Sequence, residues 1–185
     1  VDFCLIDTAH VNPGEIFDTL MILPFLEDNA VIVFHDTSLH TSYSLQKRYS
    51  LGERAITNNL LMSSITGRKI LQGNFEGEYF SNIGGIKINK NTKENIFEIF
   101  NLLMIRWDYL PTEKQEQEIV SWFEKHYPAC YIDYLKKIFL YQKTIIANDT
   151  CHTIKTGIKN TLKKGGLGGI YLHFKNAAAR RKSSP

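Results

Sequence analysis

The stretch DFCLIDTAHVNPGEIFDTLMILPFLEDNAVIVFHDT, residues 2–37, decides the fold. It opens inside an apolar run, residues 1–7, in which Val1, Phe3 and Leu5 alternate with Asp2, Cys4 and Ile6. So apolar a run predicts a strand buried on both faces. The turn AHVNPG follows, with Asn12 placed to cap a helix and Pro13 at its first position. A helix is expected over 14–23, with Ile16, Leu20 and Leu23 on its apolar face and Pro24 near its end. Glu27-Asp28-Asn29 makes a turn, and the β-branched run AVIVFH, residues 30–35, predicts a second buried strand. Strand, short helix and strand in this order predict a parallel pair with a right-handed crossover.

Outward from this unit the pattern stays α/β and then turns helical. A polar helix is expected over 41–64, broken near Gly52, and Gly67 leads into a strand at 68–71. A Gly/Asn-rich loop separates it from a strand at 83–89, and so close a pair is expected to be antiparallel. From Thr92, with Asn95 in a capping region, Ile96, Ile99, Phe100 and Leu103 recur at helical spacing. Pro111-Thr112 opens a helix with Ile119, Trp122 and Phe123 on its apolar face, and Pro128 ends it. A further helix is expected over 131–146. The organisation expected is an α/β region at 1–90, a helical extension at 91–148 and a basic tail at 149–185.

The 185 residues suffice for a buried core without disulfide staples. Hydrophobic residues at 43% and charged residues at 22% fit a globular chain and argue against wholesale disorder. Cys4, Cys130 and Cys151 show no metal or redox spacing, which predicts reduced thiols in a cytoplasmic setting. No apolar run reaches the roughly 20 residues of a membrane helix, and the opening does not read as a signal peptide. A core strand at the first residue leads us to expect a C-terminal piece of a longer protein. The net charge of +3 hides a division: residues 136–185 carry 11 Lys/Arg against one acid, and residues 1–135 carry 11 against 18.

In parallel α/β sheets ligands gather at the carboxyl ends of the strands. The first strand ends in Asp7-Thr8-Ala9-His10 and the second in His35-Asp36-Thr37, with His40 beyond. Neighbouring strands lie about 5 Å apart, so these groups face one crevice. Two carboxylates and two or three imidazoles there can hold a divalent cation or supply a general base. Each has a plainer role as well: Asp7 as a turn cap, His10 as a loop residue, His35 as a hydrogen-bonded core histidine, His40 as a surface residue. His126, His152 and His173 have no such partners in sequence and read as structural.

On these residues the chain resembles the class I S-adenosylmethionine-dependent methyltransferases. That family commonly shows an apolar strand ending in Ile-Asp-x-x-His, a helix, and a second strand ending in His-Asp. Residues 1–90 carry the resemblance, and Ser81–Asn89, SNIGGIKIN, is similar to the family's closing strand. The resemblance implies a Rossmann-like sheet of parallel strands with a closing antiparallel strand, here its C-terminal half, followed by helices. It implies S-adenosylmethionine as cofactor, with Asp7 and Thr8 on the cofactor side and His10, His35 and Asp36 as the catalytic set. In metal-dependent relatives carboxylates here hold a divalent ion such as Mg, which points to Asp7 and Asp36. Thr37 stands where such relatives often carry Asn. The Gly-x-Gly cofactor turn and the acidic ribose ligand have no counterpart; Gly84-Gly85 and the GGLGG of 165–169 sit in other contexts. The acceptor implied is a small molecule or carbohydrate.

Two other readings stay open. One is a metal-assisted hydrolase built on the same Asp/His cluster. The other is a non-catalytic α/β module held at a membrane by its tail. In that tail Ile154, Ile158 and Leu162 recur every fourth residue beside Lys155, Lys159 and Lys163. The pattern suits a helix on an anionic membrane, peripheral at the inner surface. A solvated tail and a nucleic-acid contact are its rivals, and no nucleic-acid module accompanies it.

Overall fold

The computed structural model describes residues 1–8, 12–38, 57–71 and 82–164, with residues 71 and 150–164 as backbone alone. The chain divides into two units, Val1–Gln142 and Lys143–Pro185. The first holds a four-stranded mixed sheet with helices, an α/β architecture.

Strand β1 spans Phe3–Ile6, helix α1 Gly14–Ile22, and a single 3-10 turn Leu23–Phe25 takes up Pro24. Strand β2 spans Val31–His35 and runs parallel to β1, with Phe3 opposite Val31 and Ile6 opposite Phe34. Helix α2, Thr57–Ser64, leads to β3, Arg68–Leu71, and then β4, Ile83–Lys87. The sheet order is β1-β2-β4-β3, and β4 is antiparallel to both of its neighbours. The expected antiparallel pair is present; that β4 inserts beside β2 is additional. A Cβ on Gly84 would lie 2.8 Å from the Met62 methyl of α2, so the end of that flexible side chain packs directly on the glycine.

One face of the sheet is covered. Ile6, Ile32, Phe34 and Ile86 are buried there, with Ile16 and Leu20 of α1 and Leu61 of α2. The expectation that β1 is buried on both faces is overturned. Val1, Phe3 and Leu5 are 53%, 56% and 55% exposed, because among the described residues no second layer covers that face of β1, whose sheet neighbour is β2. Alternation reports that a strand is apolar; it does not report whether a second layer covers it.

The helices that follow are α3, Lys90–Glu94, α4, Phe97–Leu102, α5, Glu113–His126, and α6, Ala129–Lys164. The single helix expected from Thr92 is thus two short ones. Its cap is Asn89, whose side chain accepts from the Thr92 amide, rather than Thr92 or Asn95. Thr112 caps α5 in a reciprocal arrangement with Gln115. Asn12 does not cap α1. It is buried and donates to the carbonyls of Ile105 and Arg106, tying the first turn to the helical segment. The last helix runs well past residue 146, so the basic segment to Lys164 is helical rather than a loose tail.

An aromatic cluster joins α1 to the helices of its unit. The Phe17 ring meets Trp107, Phe123 and Phe139 at centroid distances of 5.6, 6.0 and 6.2 Å. Phe123 is fully buried and also meets Phe100 and Tyr127. Such pairs contribute about 0.5–1.5 kcal/mol each beyond area burial. Gln142 closes the cluster: its amide donates to the carbonyls of Leu103 and Ile105, and its oxygen accepts from the Trp107 amide. The Tyr127 hydroxyl donates to the Leu20 carbonyl, and burial pushes that phenol well above its usual range. No helix among the described residues is long and apolar enough to cross a membrane.

Candidate functional site

The parallel pairing of β1 and β2 puts their carboxyl ends side by side. Asp7 follows β1 directly; His35 closes β2 and Asp36 follows it. His35 Nδ1 lies 3.4 Å from Asp7 Oδ1 and 3.4 Å from Asp36 Oδ2. The Asp36 side chain is 16% exposed, against 38% for His35 and 50% for Asp7. The site is therefore anchored at Asp36 and open to solvent at Asp7.

The backbone bends sharply there. Asp36 has φ of 55°, in the left-handed region that Asp tolerates better than most residues because its short side chain bonds locally. The bend stops β2 and turns the carboxylate toward His35. Three contacts hold it. Asn82 donates its side-chain amide to Asp36 Oδ1 over 2.6 Å. The Thr37 amide donates to the Asn82 carbonyl over 3.1 Å, and the Ser38 hydroxyl to the Asn82 side-chain oxygen over 2.9 Å. Asn58 of α2 donates to the His35 carbonyl over 2.7 Å, fixing the strand end from the helix side.

Asp7, His35 and Asp36 are thus brought together. Thr8, which follows Asp7, has Asp18 of α1 as a polar neighbour. Burial holds the Asp18 carboxyl above the usual carboxylate range, and the Thr8 bond offsets part of that rise. Burial, and then the Asp18 charge, push the Cys4 thiol up. His10 and His40 lie outside the described residues. His126 stacks on Trp122 and Phe25 at 4.3 and 5.1 Å, in keeping with a structural role.

Asn82, Ser38 and Asn58 belong to the site and were not singled out in the sequence. The signal for Asn82 is its place just before β4: with Ile83 opposite His35, the preceding residue falls opposite Asp36.

One oxygen from each carboxylate and one His35 nitrogen lie within 4.8 Å of one another, a set able to take a divalent ion after a small contraction. His35 Nδ1 is shielded from solvent and faces both carboxylates. Two oxygens with one imidazole suit Mn or Zn better than Mg, which prefers oxygen alone.

No known family model matches the chain, and no curated protein or solved structure matches it.

Proposed function

We propose that this chain forms the acceptor-side half of an S-adenosylmethionine-dependent methyltransferase acting on a hydroxyl of a small or sugar-like molecule. The observation that carries the reading is the meeting of Asp7, His35 and Asp36 at the carboxyl ends of two parallel strands. That is where ligands of such sheets gather. The parallel β1–β2 pair with an antiparallel β4 beside it agrees with the sheet the sequence resemblance implies. A cytoplasmic setting goes with this cofactor and with the free thiols Cys4 and Cys130.

In this reading S-adenosylmethionine supplies the methyl group. His35 takes the acceptor hydroxyl proton at Nε2, while Nδ1 faces the two carboxylates, which neutralise the charge that arises. Asn82 and Asn58 hold Asp36 and the His35 backbone in place. Positioning of acceptor against methyl donor accounts for much of the rate. His10, three residues after Asp7 in the sequence, is the second base candidate. The test is methyl transfer from S-adenosylmethionine to a panel of sugar and small hydroxyl acceptors, by the protein in its full natural length. Activity that is lost in Asp36→Ala supports the reading; turnover that survives the substitution removes Asp36 from the mechanism.

The three-donor set favours one alternative, a metal-assisted reaction in which Asp7, His35 and Asp36 hold the ion and no methyl donor is needed. Hydrolysis that depends on added Mn or Zn, with no requirement for S-adenosylmethionine, would select it.

A further inference from the structure

Helix α6 continues through Lys164, well beyond the buried positions Ile132, Leu135, Ile138, Phe139 and Gln142 that serve the first unit. The stretch from Lys143 to Lys164 needs its own explanation. At about 100° per residue, a helical backbone places Ile154, Ile158 and Leu162 within a sector of about 80°. Lys155, Lys159 and Lys163 each follow one of them by a single residue and so form the adjoining sector. Thr153, Thr156 and Asn160 fall on the opposite side. Over residues 153–163 apolar, cationic and neutral polar positions are therefore segregated around one helix, while Ile145, Ile146 and Lys164 fall outside these sectors.

The charge is just as one-sided. Residues 143–164 contain five Lys and one acid, Asp149. Residues 143–185 contain nine Lys/Arg and the same single acid. A cationic band bordering an apolar band fits the plane between lipid headgroups and acyl chains, because lysine stems lie along apolar surface while their ammonium groups reach anionic headgroups. Nucleic acid fits less well. Residues 143–164 contain no Phe, Trp or Tyr to stack on bases and no Arg to fork a phosphate, and the apolar band would find no partner there.

We propose that the second half of α6, residues 143–164, is a membrane-surface helix that docks the protein on anionic lipid bilayers. Its apolar positions enter the acyl boundary and its lysines hold the headgroups. The helix lies on the bilayer and does not cross it.

The test is co-sedimentation of the whole chain with two kinds of vesicle: phosphatidylcholine alone, and phosphatidylcholine mixed with phosphatidylglycerol. Sedimentation with the anionic vesicles, weakened by added salt, is expected. Replacing Lys155, Lys159 and Lys163 together by Gln should weaken it on the order of 100-fold. Replacing Ile154 and Ile158 by Ser leaves the charge unchanged and should also weaken it, by at least about tenfold. Circular dichroism and the thermal unfolding of each variant check that the first unit is intact. Absence of binding to anionic vesicles overturns the proposal. So does full binding by the Ile→Ser variant, which would leave charge as the whole interaction. Retention of duplex DNA or RNA by a chain that ignores vesicles would overturn it in favour of a nucleic-acid contact.

Discussion

Asn82, the residue before β4, donates its side-chain amide to the Asp36 carboxylate at the end of β2, over 2.6 Å. The two residues are 46 positions apart in the chain, and the β2–β4 register brings them together. Asn82 also receives the Ser38 hydroxyl and the Thr37 amide, so it organises the whole loop after β2. Asn82→Ala removes a hydrogen bond to a charged group with little exposure. The expected loss is about 1.5–3 kcal/mol, read as a lower urea midpoint at unchanged slope.

Asp36→Asn separates charge from architecture. An Asn oxygen still accepts from Asn82, and Asn tolerates the left-handed φ of 55° found there. Stability within about 1 kcal/mol of the parent is expected. Methyl transfer should fall by about 100-fold or more, because His35 loses a negative neighbour at 3.4 Å. Unfolding and turnover measured on the same preparation check both halves.

Asp18 gives a pH dependence whose sign is fixed. Burial raises its folded pKa above the ordinary carboxylate value, so the protonated form suits the fold. Its contribution is fully present below the unfolded pKa and is lost as pH rises through the folded one. Asp18→Asn keeps an acceptor for Thr8 and carries no charge. It should unfold at a higher temperature than the parent at neutral pH. The difference should close as the pH falls below the unfolded value. Thermal melts across that range check it, and a gap that widened in acid would reverse the assignment.

Gln142 makes three buried hydrogen bonds, to Leu103, Ile105 and Trp107. Gln142→Leu keeps the approximate volume and removes all three. A cost of about 3 kcal/mol is expected at roughly 1 kcal/mol per bond. Phe123→Ala, at the centre of the aromatic cluster, should cost about 3–5 kcal/mol. Equilibrium denaturation of the two variants measures both.

The strands were legible because their signals are local. The run at Val31–His35 is β-branched and bounded by turns, and Arg68–Leu71 follows Gly67. Asp7, His35 and Asp36 were legible because a parallel β-α-β unit dictates where strand ends meet. Asn82 was not, since its role depends on β4 pairing with β2 across a long separation. The exposure of Phe3 and Leu5 escaped for a different reason: covering a sheet face is the work of other segments. The length of α6 escaped because the helix expected over 131–146 and the helical spacing of Ile154, Ile158 and Leu162 read as separate elements, whereas one helix spans both.

The central proposal is that Asp7, His35 and Asp36 line a methyl-transfer site, with Asp7 on the side of S-adenosylmethionine and His35 and Asp36 toward the acceptor. Isothermal titration of S-adenosylmethionine into the protein in its full natural length tests it most directly. The account predicts saturable one-to-one binding, weakened at least about tenfold, or 1.4 kcal/mol, by Asp7→Ala. A folded protein that shows no saturable binding of S-adenosylmethionine would contradict it.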